Sequence, residues 1–132
     1  MCQVENIKLL AENDIVVYKV LVRKAPYDQT KEPTLLVGPY SNYPYQIGGE
    51  YQEEPTTEPK YDQQIDKGFF HAFVNEQDAM DFVYFFGPIG SAVYKAVIPK
   101  GTTYYQGKWI GFKEMDSIAT PKIKIQGYIS KR

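Results

Sequence analysis

The chain has 132 residues, one domain's worth, and its 43% hydrophobic and 23% charged content can build a core without metal or disulfide staples. Fifteen Lys and Arg against sixteen Asp and Glu leave a net charge of -1, which argues against general binding to a nucleic-acid backbone, since that runs on excess cations. The one cysteine cannot close an internal disulfide, no apolar run reaches membrane-spanning length, and the start lacks a signal-peptide pattern, so a cytoplasmic protein without membrane contact is expected.

Residues 1–13 read as a polar lead-in. Residues 14–24, DIVVYKVLVRK, are rich in β-branched side chains and apolar on both faces, which predicts a central strand. A turn-rich connection follows over 24–34, then short extended pieces over 35–52, cut by Gly-Pro, Tyr-Pro and Gly-Gly. Residues 50–62 are acidic, hold two prolines, and read as a mobile surface loop. GFFHAFV (68–74) reads as a strand. Asn75 then caps a helix over 76–86, with Glu76 and Asp78 on its first turn and Ala79, Phe82, Val83 and Phe86 as its apolar stripe. Gly87-Pro88 stops it. Residues 91–99 read as a strand, KGT as a turn, TYYQGKWIGF as a strand pair with glycine-bearing turns, and 122–130 as a terminal strand with one wet face. The sum is a single α+β domain: a twisted, mainly antiparallel sheet or partly open barrel of five to six strands with one main helix.

His71 is the only histidine. It shares a strand face with Phe69 and Phe73, which predicts a neutral imidazole holding one hydrogen bond between sheet and helix. The sharper alternative is a general base at a pocket mouth. No metal site is expected, because one histidine and one cysteine cannot supply a zinc ligand set, and the acidic loop lacks calcium-loop spacing. Cys2 is the one thiol nucleophile. Removal of Met1 would give it an α-amine as base, with His71 as the available partner; otherwise it is a terminal residue without a role. Lys19 and Lys95 sit mid-strand on otherwise apolar faces. If their strands flank 68–74, then Lys19, Lys95 and His71 form an anion site; the alternative is that both lysines reach water at the sheet edge.

Tyrosine is abundant, with 12 copies beside 7 Phe and 1 Trp. Tyr40, Tyr43, Tyr45 and Tyr51 fall among Gly, Ser, Asn and Pro, the composition of adaptable recognition loops. Tyr104, Tyr105 and Trp109 form a second aromatic group suited to stacking or anchoring. The competing reading turns these rings inward as core.

Two resemblances accompany these residues. The Met-Cys opening, DIVVYKV, GPYSNYPYQIG, GFFHAF followed by DAMDF, and AVIPKGTTYYQG resemble a set of small uncharacterised proteins of gut bacteria and their phages. That resemblance implies a bacterial cytoplasm and brings an anti-defence role into view. AVIPKGTTYYQG (96–107), with GFFHAF and its following helix, also resembles the strand–turn–strand and NAD-side strand–helix units of ADP-ribosyltransferases. That family places glutamates where this chain has Val93 and Lys95, and a lysine cannot stabilise the cationic sugar formed as nicotinamide leaves.

The functional expectation is a binding protein without catalysis or cofactor. It would recognise a protein partner or a small nucleotide-like ligand through its tyrosine-rich loops, and homo-oligomers are compatible with it. The alternative is an ADP-ribosyltransferase-like or Cys2-dependent enzyme acting on a nucleotide-type substrate.

Overall fold

A computed structural model describes residues 3–24, 35–38, 44–55, 58–61, 68–110 and 113–131. In chain order they form β1 (Val4–Leu10), β2 (Ile15–Lys24), β3 (Leu35–Val37), β4 (Pro44–Tyr45), β5 (Glu50–Gln52), β6 (Phe70–Phe73), α1 (Glu76–Phe86), β7 (Ser91–Ile98), β8 (Thr103–Ile110), β9 (Glu114–Thr120) and β10 (Lys122–Lys131). Every strand belongs to one antiparallel sheet, ordered β1-β8-β9-β6-β2-β7-β10-β5, with β3 on β2 and β4 on β3. Over the described residues the sheet is not closed into a barrel, and 59% of those residues are strand.

The expected α+β domain of five to six strands is therefore wrong: the described residues form a mostly-β fold of ten strands carrying one helix. The added strands are β1, β9 and the short β3, β4 and β5, while the expected strand pair around Gly107 is a single strand. The lead-in contains β1, whose side chains are exposed except for half-buried Val4 and buried Asn6, so it lacks the alternating apolar signal of a half-buried strand. Gly107 does not turn the chain; β8 runs straight through it as one eight-residue strand. β9, EMDSIAT, mixes charge and hydroxyl with its apolar positions, and its strand identity comes from pairing to β8 and β6. The first residues of the acidic stretch also pair, as β5 against β10.

β2 is central, as its two apolar faces predict, lying between β6 and β7. Its register with β7 is regular over eight residues, from Ile15↔Ile98 to Val22↔Ser91. Its ladder with β6 is confined to Tyr18↔Phe73. Strand parity then sorts the side chains. Tyr18, Val20, Phe73, Val93, Met115 and Trp109 lie beneath α1 with Ala79, Phe82 and Val83. Val17, Leu21, Phe70, Ala72, Ala92, Tyr94, Ala96, Tyr104, Ile118, Ile123 and Ile125 fill the other face, covered by Leu36 and Tyr45 of β3 and β4.

α1 has its expected bounds. The Asn75 side chain accepts a hydrogen bond from the Gln77 N–H at 2.8 Å, and the Gly87 N–H closes the last turn onto the Phe82 and Val83 carbonyls. Burying the Phe82 ring against Phe73 and Trp109 contributes roughly 2–3 kcal/mol. The turn into β7 needs Gly90, whose φ is +93° and where a β-carbon would meet the Arg23 carbonyl oxygen at 2.7 Å.

Candidate functional site

Lys19 is the most unusual side chain in the core. Its residue is 5% exposed, on the face that carries Val17 and Leu21. Its Nζ donates one hydrogen bond, at 2.8 Å, to the backbone carbonyl of His71. That carbonyl is within reach because β6 leaves the β2 ladder after Tyr18↔Phe73. The Tyr45 ring lies 5.1 Å from the same ammonium, a cation–π contact. Tyr45 in turn meets Tyr51 edge-on at 5.1 Å and Phe70 at 6.2 Å. Among the described residues no carboxylate pairs with Lys19, and burial alone lowers its pKa from 10.5 to about 8. The amine is still mostly protonated at neutral pH, so the core holds a cation with no counter-ion among the described residues.

His71 lies on the opposite face, in step with Phe69 and Phe73. Part of the residue reaches the surface, but both ring nitrogens are buried and neither has a hydrogen-bond partner. The expected single hydrogen bond is thus absent, because His71 sits across from Ala119, which offers no polar atom. Burial, then the charge of Lys19, lowers the imidazole pKa from 6.5 to about 3, so the ring is neutral at pH 7.

Lys95 does not join them. It pairs across from Tyr18, which puts it on the α1 face of the sheet, where it is exposed. The expected Lys19–Lys95–His71 anion site is corrected accordingly: strand parity separates the two lysines, and only Lys19 is inside. Cys2, Tyr40 and Tyr43 lie outside the described residues.

The remaining tyrosines mostly face inward. Tyr45 is 5% exposed and Tyr51 packs on it, so this half of the tyrosine-rich segment is core rather than open loop. Tyr104 is buried among Ile118 and Ile123, whereas Tyr105 turns to the other face against Phe69, ring centroids 5.7 Å apart. Trp109 lies under α1, touching Phe73, Phe82 and Phe86. The second aromatic group is therefore not a single stacking platform.

Besides Tyr61 and Tyr128, which are exposed singly in sequence, a run of exposed aromatic residues lies at the end of α1. Tyr84 and Phe85 are 56% and 57% exposed, and their rings meet edge-on at 4.8 Å. Phe86, expected inside with the apolar stripe, is 39% exposed because the helix ends there, and Ile89 beyond it is fully exposed. The sequence does carry a signal for this surface. Tyr84 and Phe85 are apolar yet fall off the Ala79–Phe82–Val83 stripe, so a helix that buries the stripe must expose them. The first turns of the same helix are acidic, with Glu76 exposed and Asp78 and Asp81 both ion-paired to Lys113.

No group of His, Cys, Asp and Glu among the described residues could hold a metal ion, and no helix is long and apolar enough to cross a membrane. No protein-family model, curated protein or solved structure matches the chain, so its functional reading rests on its own geometry.

Proposed function

We propose that this is a binding protein whose partner is another protein, docked on the exposed end of α1. The observation that carries the reading is the Tyr84–Phe85 ring pair, continued by Phe86 and Ile89. Four large apolar residues within six positions form a patch, whereas scattered surface apolar residues need no explanation. Rigid aromatic rings that lose little entropy on ordering make good interface anchors. With Asp78 and Asp81 ion-paired to Lys113, exposed Glu76 is the acidic group that the helix start offers to a Lys or Arg of the partner, and complementary charge speeds encounter and fixes orientation. The tyrosines of residues 38–51 have a smaller part in this reading than in the sequence-based one, because Tyr45 and Tyr51 pack inside.

A photo-crosslinking amino acid at position 85, in cells that make the protein natively, identifies the partner. The recombinant pair is then measured by calorimetry. Tyr84→Ser with Phe85→Ser should weaken binding at least 100-fold without moving the melting temperature, and added salt should slow association. A partner that binds the double variant as tightly as the parent sinks the proposal, as does a crosslink found only to a second copy of this chain.

A further inference from the structure

We propose that β1 pairs with β1 of a second copy of this chain, antiparallel about a two-fold axis beside Leu9. The interface is the edge of the sheet, so it is independent of the α1 surface.

β1 stands at one end of the strand order, with β8 on one side of it only. Two hydrogen bonds show which backbone groups face outward. Ala11 donates its N–H to the Thr102 carbonyl, on the β8 side, at 2.9 Å, whereas Asn6 donates away from β8, to the Tyr61 carbonyl, also at 2.9 Å. Alternation along the strand therefore turns the N–H and C=O of Lys8 and Leu10 outward, where no other described backbone meets them. An edge of this kind is a template for another strand. The side chains along it are apolar: Ile7 is 56% exposed, Leu9 37% and Leu10 59%. An unpaired charge commonly guards such a row, but Lys8, the one charge within it, is already paired with Glu58 at 2.8 Å.

The open stretch is short, and its limits select the occupant. Toward the N-terminus the register breaks between Val4 and Ile7, and Asn6 is tied through its N–H to Tyr61 and through its side-chain amide to the Lys60 carbonyl. A long foreign strand would run into that segment. β1 itself ends at Leu10, so an antiparallel copy stops before reaching it. One register satisfies both ends. With Leu9 facing the copy's Leu9, each Lys8 faces the other chain's Leu10, and these pairs exchange their outward N–H and C=O groups. Leu9 then meets its copy at a non-hydrogen-bonded position, where side chains come closest. Ile7 packs diagonally on the copy's Leu9, and the two Leu10 side chains are diagonal neighbours on the other face. A shift one way sets Lys8 against Lys8 and Leu10 against the occupied Asn6. A shift the other way leaves Leu10 alone paired, with Lys8 facing Glu12 beyond the end of β1. A net charge of -1 puts little repulsion between copies.

The test uses the whole chain. Sedimentation equilibrium up to about 1 mM reads association, since so short an interface makes a weak dimer. Monomer and dimer should be the only species, because a two-fold pairing closes on itself. Leu10→Pro removes an outward N–H without touching the β8 ladder, and it should weaken association at least about 10-fold while the protein stays folded. Disulfide capture in a Cys2→Ser background reads the register and does not depend on the proline variant. Leu9→Cys places two thiols across the axis at bridging distance and should crosslink at least about 10-fold faster than Glu50→Cys, on the opposite edge strand β5. A parent that is monomeric at the highest concentration overturns the proposal, as do oligomers larger than a dimer. Equal crosslinking of the two cysteine variants, or a folded Leu10→Pro protein that associates like the parent, overturns the β1 pairing. A strand of another protein found on β1 while the chain itself stays monomeric overturns the second copy as its occupant.

Discussion

The ammonium of Lys19 hydrogen-bonds the backbone carbonyl of His71 at 2.8 Å, while the imidazole of His71 lies on the other side of the sheet. The two titratable groups are thus joined through the backbone rather than ring to amine. Each is buried without a polar side-chain partner, and each is pushed toward its neutral form. Their effects on stability fall in different pH ranges, so they can be measured apart.

Lys19 makes the protein more stable as the medium becomes alkaline. Below pH 8 both folded and unfolded chains hold the proton, and the folded state carries the full desolvation cost. Between about 8 and the ordinary value of 10.5 the folded chain has released the proton and the unfolded chain has not. The unfolded state then binds more protons, so stability rises with pH. The difference corresponds to roughly 3 kcal/mol. Burial raises the pKa of Tyr94 and Tyr104, which pulls the other way once unfolded tyrosines ionise. Urea midpoints of the parent and Lys19→Met, taken from pH 7 to 10.5, separate the two. The variant should be the more stable at pH 7 and its advantage should shrink as pH rises. A gap that stays constant across the range would show that the amine does not titrate inside the fold.

His71 acts at the acid end. Above pH 6.5 the ring is neutral in both states. Between 6.5 and about 3 the unfolded chain takes up a proton that the folded chain refuses, so stability falls as pH falls. The loss approaches roughly 4 kcal/mol at the bottom of that range. His71→Phe removes the titration, and with both ring nitrogens unpartnered it leaves no hydrogen-bonding group behind. The variant should match the parent at pH 7 and outlast it increasingly below pH 6. Equal acid unfolding of the two proteins would mean that the ring reaches water in the folded state.

The sequence was informative where burial imposes a period and silent where pairing alone makes the strand. β2, the Asn75 cap, α1 and the alternation of Ile123 and Ile125 in β10 all carry their own signal. β1 and β9 do not: β1 is an edge strand with most side chains in water, and β9 places Asp116 and Ser117 between apolar positions. The environment of Lys19 was half legible. An apolar strand face leaves a lysine either inside or reaching water at the sheet edge, and which neighbours share that face depends on register: one residue of register sends Lys95 to the other side, where it is exposed, while Lys19 is buried. The inward turn of Tyr45 and Trp109 was legible only as one of two readings, because tyrosine and tryptophan serve core and interface alike.

Gly107 gives a direct test of the unexpected continuity of β8. A β-carbon there would meet the Val4 carbonyl oxygen at 2.5 Å, Asn6 Oδ1 at 2.8 Å and Gln3 Cγ at 2.8 Å. The first of these is backbone of the neighbouring strand and cannot swing aside. Gln3 is also locked, taking a hydrogen bond from Ser117 Oγ at 2.7 Å and donating to Asn6 and to the Tyr105 carbonyl. Gly107→Ala should therefore cost about 1–3 kcal/mol by overpacking. The loss should appear first as faster amide exchange in β1, with α1 protected. Unchanged exchange in β1 would mean that the strand is not seated on Gly107.

Tyr45 separates core from recognition loop most sharply. If the tyrosine-rich segment were an open binding surface, Tyr45→Ala would affect stability little. In the fold the ring is buried against Tyr51 and Phe70 and covers Lys19. Truncation removes a packed ring and leaves a cavity, which costs about 3–5 kcal/mol for large aromatic residues. It also admits water to the ammonium, so the Lys19 pKa should climb from about 8 back toward 10.5. The two readouts have different origins, since lost packing alone lowers the melting temperature without moving a titration. A Tyr45→Ala protein that melts like the parent would return Tyr45 to the surface. One that is destabilised while Lys19 keeps its low pKa would show that other groups, not this ring, exclude water from the amine.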